Sequence, residues 1–310
     1  GNNGNNYTIG AKTIAAGSIF KKNASITGST TNTTYNGTTQ TQAPAVLAGF
    51  VDADLLTGSV AATGLASGRN AGTYTSNLSA TGSDVSNYNI SVTNKDLVIA
   101  KKAISLSGIT AANKTYDGTA TASISSGVIA GTIGSEALLI SGTGTFSDKN
   151  AANGKIVTVA DVTQLTKTSS TGDWSNYNLT TSGALTTQAD ITPKAITLSG
   201  ITAAAKTYDG TTAATVSTAN AVFNNQIVND NLTVASSGTF SDKNAATGKT
   251  VSLANTLGGS DLGNYTITDQ TSTTADITPK AITLSGITAA AKTYDGTTAA
   301  TVSTTNAVFN

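Results

Sequence analysis

Cysteine, methionine and histidine are absent from the 310 residues, and there are only one tryptophan and three prolines. Without cysteine the chain has neither a disulfide framework nor a thiolate zinc site. Without histidine it lacks the usual imidazole ligand and the usual near-neutral acid–base group. Charge is sparse and balanced: 17 basic residues against 17 acidic ones, with 11% of the chain charged. No basic footprint exists for nucleic acid, so that class of partner is excluded. No apolar run approaches the roughly 20 residues that cross a bilayer as a helix. Leu and Glu are scarce, which leaves little material for long helices. No leader is visible and no Met opens the chain, so the sequence reads as a piece of something longer.

What is present is repetition. Residues 189–224 return as 275–310, 86 positions on, with only Ala219 against Thr305 differing. Looser copies of the same element start at Lys101 and at Lys21. Asn-Tyr recurs at Asn6-Tyr7, Asn87-Tyr88, Asn176-Tyr177 and Asn264-Tyr265, and Phe-Ser-Asp-Lys-Asn-Ala-Ala at 146–152 and 240–246. A period this long exceeds a solenoid coil and suits a small domain. The expected organisation is the tail of a repeat (1–20), repeat 1 (21–100), repeat 2 (101–192), repeat 3 (193–278) and the head of a further repeat (279–310).

Within a repeat the pattern is short and alternating. Tyr88, Ile90 and Val92 alternate with polar neighbours, the period of a half-buried strand. Ala195–Leu198 reads as an edge-like opening strand. Six or seven strands per repeat predict an all-β chain of tandem Ig-like β-sandwiches, with a β-solenoid as the alternative. Pro193 and Pro279 stand at junctions with almost no linker, and proline restricts the residue before it to extended backbone.

Tyr35-Asn36-Gly37, Tyr116-Asp117-Gly118, Tyr208-Asp209-Gly210 and Tyr294-Asp295-Gly296 mark turns, since Asn-Gly and Asp-Gly accept the positive φ that tight turns require. Their tyrosines are expected to pack the sandwich. An Asn-Ala-Gly-Thr-Tyr-Thr run (70–75) and the recurring Asn-Tyr keep register with these turns. Taken together, these motifs resemble the YDG and MBG repeats of very large bacterial surface proteins of the filamentous-haemagglutinin type. That resemblance implies an extracellular or cell-surface adhesin exported by two-partner secretion, with other copies of itself, or a receptor on a host or neighbouring cell, as partners.

Candidate chemistry is thin. There is no nucleophile elbow, P-loop or dense carboxylate pair, so no enzyme and no cofactor are expected. Trp174 could stack on sugar, but its sister positions hold Val85 and Leu262, which reads as an apolar plug. Asp148 and Asp242 are poor calcium ligands beside Lys149 and Lys243. An intramolecular isopeptide bond has its ingredients in Lys102 with Asp173 and Asn176, and in Lys194 with Asp261 and Asn264. Asn-x-Ser/Thr triplets at Asn23, Asn77, Asn113, Asn178 and Asn231 follow from the abundance of threonine. The expected role is structural, a stalk or fibre of repeats pairing through strands between copies. The rival is a module that binds host glycan or protein.

Overall fold

The computed structural model describes residues 16–310. Asn6-Tyr7 and most of the expected tail at 1–20 lie outside the described residues. The protein is all-β, as the alternation requires; the tandem Ig-like arrangement is a finer reading that the sheet topology does not establish. Among the described residues, helix is confined to one turn at Asp52–Leu56 and four short 3-10 turns. Three of those turns, 85–87, 174–176 and 262–264, end on the asparagine of an Asn-Tyr pair. Each delivers its tyrosine to the start of a strand.

Every repeat places its opening strand in the middle of its pairings. Lys22–Thr27 runs antiparallel to Val46–Ala48 and parallel to Tyr88–Thr93. Lys194–Ser199 runs antiparallel to Val222–Asn224 and parallel to Tyr265–Thr268. In repeat 2, Lys102–Ala111 pairs with Thr121–Ala130 and, in parallel, with Tyr177–Leu179. The edge position expected for Ala195–Leu198 is therefore corrected. Ile196 and Leu198 are buried, and a strand paired on both sides buries its apolar alternation more completely than an edge strand can.

The closing strand of each repeat is pinned from the other side by the segment that precedes Tyr-Asp/Asn-Gly. Thr31–Thr34 pairs in parallel with Leu97–Ala100, Lys114–Thr115 with Ile191–Thr192, and Lys206–Thr207 with Ile277–Thr278. The backbone N–H of Tyr35 then donates to Ala100 O at 2.9 Å, that of Tyr116 to Thr192 O at 2.8 Å, and that of Tyr208 to Thr278 O at 2.8 Å. Each of these tyrosines is thus fixed at the exit of its repeat, where the next repeat begins.

The chain divides into two compact units, and neither is a repeat. Of the described residues, unit 1 holds those from 16 to 111, with 123–144 and 158–187; unit 2 holds 112–122, 145–157 and 188–310. Separate beads with one core each would divide at 100/101 and 192/193. The physical reason for the difference is a core drawn from both sides of a repeat boundary. In unit 1, Tyr35, Ala66, Leu97 and Ile99 of repeat 1 pack with Ile104, Leu138 and Tyr177 of repeat 2. A second cluster in the same unit, around Ile26, Phe50, Val60, Leu78 and Tyr88, belongs to repeat 1 alone. In unit 2, Phe240, Val251 and Ile277 pack together, with Tyr208 partly buried against them.

Candidate functional site

Tyr-Asp-Gly begins as a local device. Asp117 Oδ1 accepts from the Thr119 N–H at 2.9 Å and from its hydroxyl at 2.8 Å, closing an Asx turn. Lys114 Nζ donates to the same oxygen at 2.7 Å and to Thr119 O at 2.7 Å, and lies 5.6 Å from the centre of the Phe146 ring. Lys206 with Asp209 and Lys292 with Asp295 repeat the arrangement at 2.8 and 2.9 Å. The Lys206 and Thr211 donors hold the Asp209 carboxyl down to about 2. In repeat 1, Asn36 makes the same turn with Thr38 and needs no lysine. Gly37, Gly118, Gly210 and Gly296 all adopt φ near +80°, a region that disfavours a Cβ.

The tyrosines do more than pack. The Tyr116 hydroxyl donates to Asp230 Oδ2 at 2.8 Å, and the Tyr265 hydroxyl donates to the same oxygen at 2.6 Å. Lys149 Nζ donates to Asp230 Oδ1 at 3.0 Å and lies 3.4 Å from Asp261. The two rings meet edge to face, 5.5 Å apart at 77°. Tyr116 and Lys149 come from repeat 2; Asp230, Asp261 and Tyr265 come from repeat 3. The whole cluster lies within unit 2.

Unit 1 builds the same joint from matching positions. Tyr35 of repeat 1 and Tyr177 of repeat 2 donate to the two oxygens of Glu136, each at 2.5 Å, with the rings 5.4 Å apart at 79°. Both Asn-Tyr asparagines complete their joints. Asn176 Oδ1 accepts from the Ala71 N–H at 2.8 Å, and Asn264 Oδ1 from the Ala151 N–H at 2.8 Å. Each therefore satisfies a backbone donor in the preceding repeat. Both side chains are buried, at 2% and 4% exposure, where an unpaired amide would be costly. The glycines sit in the contact as well. A Cβ on Gly37 would lie 2.7 Å from Ile133 Cγ2, and one on Gly118 2.8 Å from Ile227 Cγ2.

The Asp230 side chain is 3% exposed, so its charge depends on these donors. Burial pushes its carboxyl up, and the bonds from Tyr265, Tyr116 and Lys149 outweigh that and hold it below the usual carboxylate range. The tyrosines move the other way. Burial and the bond to a carboxylate push Tyr177 and Tyr265 up to about 12, from an ordinary value of 10.0.

The isopeptide candidates are placed differently from expectation. Asn176 and Asn264 give their amides to the joints, Asp173 caps the turn at 174–176 through the Ser175 N–H, and Asp261 accepts from the Asn231 N–H. Among the described residues no hydrogen bond links Lys102 or Lys194 to them. Trp174 is partly buried against the shared core, with its Nε1 donating to Thr168 O at 2.5 Å. Asp148 and Asp242 pair with the buried Lys155 and Lys249, each at 2.6 Å, and no cluster suited to a metal occurs among the described residues.

Sequence reasoning missed the joint carboxylates and found their partners only as landmarks. The signal is positional: Asp54, Glu136 and Asp230 each fall eight residues after a strand valine, Val46, Val128 and Val222.

A family model for the YDG domain matches residues 100–184 and 192–274, more than half of the chain. The chain belongs to the YDG domain family. A search of curated proteins returned no match. The resemblance is corrected in one respect. The match is to the YDG domain alone and carries no filamentous-haemagglutinin, MBG or two-partner-secretion setting, so the bacterial adhesin assignment is withdrawn. Residues 21–99 lie outside the matched spans, yet they supply Tyr35 and Asn70–Ala71 to the first joint.

Two outcomes test the joint. Gly118→Ala and Gly210→Ala meet the same φ of +80°, but only Gly118 faces a neighbour, Gly210 having nothing within 4 Å. Urea unfolding should show Gly118→Ala costing about 1–3 kcal/mol more than Gly210→Ala, the usual range for overpacking. Equal costs would remove the glycine from the joint. On titration, a raised tyrosine pKa means that the folded state holds its proton more tightly. The stability from Tyr177 and Tyr265 is therefore complete below pH 10 and is lost as pH rises towards about 12. Unfolding midpoints that stay level across that window would contradict the assignment.

Proposed function

We propose that this YDG protein is an extracellular structural repeat chain, a stalk or fibre element whose repeats interlock to carry load. The observation that carries this reading is that one joint is built twice from matching positions, Tyr35–Glu136–Tyr177 and Tyr116–Asp230–Tyr265. A flexible array of independent binding modules has no need to bury a tyrosine pair and a carboxylate at each boundary. A load-bearing array does, because such a joint resists bending and separation together.

Composition agrees with that role. Zero net charge and sparse charged residues minimise long-range repulsion between neighbouring chains. The absence of cysteine lets the chain fold without oxidative help, a property suited to life outside a cell. Trp174 supports the rival glycan-binding reading poorly, since its ring packs on the shared core and its N–H is already bonded.

Single-molecule stretching of the 310-residue chain tests the proposal. Tyr35→Ala and Tyr116→Ala together should lower the force of the first rupture events while far-ultraviolet circular dichroism stays β-rich. Unchanged rupture forces would remove the mechanical role, and glycan binding lost in Trp174→Ala would favour the rival.

A further inference from the structure

Each repeat leaves one strand edge without a partner, the outer side of the strand that opens on the tyrosine of Asn-Tyr. Tyr88–Thr93, Tyr177–Leu179 and Tyr265–Thr268 each pair in parallel with the opening strand of their own repeat. Among the described residues no strand pairs with their other side. Repeat 2 lies between two whole repeats and keeps this edge open, so the edge belongs to the repeat fold itself. Repeat 1 has the longest of the three, at six residues.

Backbone alternation decides which groups are free. The Gly28 N–H donates to Thr93 O at 2.9 Å, so Thr93, and with it Ser91 and Asn89, turns its N–H and C=O towards the opening strand. Ile90 and Val92, one step out of phase, turn theirs outward. Repeat 2 keeps the same phase: the Thr180 N–H donates to Ile104 O at 2.9 Å, which leaves Leu179 facing outward. Natural sheets blunt such an edge with lysine, proline or a bulge. Tyr88–Thr93 has none of these. Its residues are Tyr-Asn-Ile-Ser-Val-Thr, and its register with Lys22–Thr27 runs without a shift. Four of the six are strong strand formers, none is charged, and Val92 is 43% exposed.

We infer that Tyr88–Thr93 of one copy pairs antiparallel with the same strand of a second copy, about a two-fold axis at Ser91. This gives the structural reading above its partner and rests on it. The register follows from the free groups. With Ile90 opposite Val92 of the second copy, the two residues exchange both N–H···O bonds, and the two-fold repeats the exchange. Every outward N–H and C=O of Ile90 and Val92 is then used. The same register lays the exposed Val92 against Ile90, which borders the apolar cluster of its own repeat, and lays Asn89 against Thr93. No like charges are opposed. A free backbone edge is matched by another strand, and a second copy matches this one in length, phase and side chains.

Cross-linking tests the register, because the chain has no cysteine of its own. Ser91→Cys places one thiol at the two-fold, about 4.5 Å from its counterpart between Cα atoms, within disulfide range. Glutathione disulfide should convert this variant to a linked dimer. Asn89→Cys alone should stay unlinked, its counterpart being about 13 Å away at ~3.3 Å per residue; mixed with Thr93→Cys it should link. Sedimentation over a concentration series should take the wild-type mass towards about twice that of one chain. Val92→Lys, and Val92→Pro, which removes an outward N–H and leaves the ladder to 22–27 intact, should each hold the protein at one chain mass with unchanged far-ultraviolet circular dichroism. A wild type that stays at one chain mass, a Val92→Lys protein that associates as the wild type does, or Asn89→Cys linking as readily as Ser91→Cys would overturn the pairing. Failure of the mechanical reading is distinguishable: rupture forces of single stretched molecules report the closed joints and do not involve this edge.

Discussion

A carboxylate withdrawn from water must be surrounded by donors, and the Asp230 side chain, at 3% exposure, has donors from two successive repeats. Tyr265 belongs to the same repeat as the acid, and Tyr116 and Lys149 belong to the one before. Neither repeat alone satisfies the site. Withdrawing Tyr116 would leave a buried hydrogen-bonding position open, at a cost of roughly 1–3 kcal/mol. The edge-to-face ring pair adds about 0.5–1.5 kcal/mol beyond the area it buries. The boundary between repeats is therefore a place of strong, directional contact and not a tether.

The strand order makes that contact possible. The closing strand of a repeat is paired in parallel with the segment leading to Tyr-Asp/Asn-Gly, so the turn emerges beside the start of the next repeat. Parallel pairing of the next opening strand with the Asn-Tyr strand brings the second tyrosine to the same place. The 3-10 turn before each Asn-Tyr then points asparagine back across the boundary. Glycine closes the arrangement, since its positive φ makes the turn and its missing Cβ admits an isoleucine of the following repeat.

Much of this was legible in the residues. Alternation gave the strands, the 86-residue echo gave the repeats, and Asp-Gly gave the positive φ. The joint was hidden for a physical reason. A shared carboxylate can be Asp or Glu and can sit on a loop or on a helical turn, because only the position of its oxygens matters. Asp54, Glu136 and Asp230 consequently share no motif. Burial of Tyr35 and Tyr116 was read as packing within a repeat, since a sequence shows an apolar ring without showing whose core receives it. A core shared between repeats is hidden on the same ground: Leu97 and Ile104 are seven positions apart across a repeat boundary, yet they lie in one cluster. Lys102 and Lys194 lie beside tyrosine-bearing strands by backbone pairing, while the asparagines they were matched with turn towards the preceding repeat.

The central claim is that adjoining repeats are held as one cooperative body across their boundary. Hydrogen exchange on Leu97→Ala measures this most directly. Leu97 is fully buried in repeat 1, and truncating such a side chain costs about 2–5 kcal/mol. The account predicts that amides around Ile104 and Leu138 of repeat 2 lose protection together with those of repeat 1. Loss confined to repeat 1, with Ile104 and Leu138 exchanging as in the unaltered protein, would contradict it.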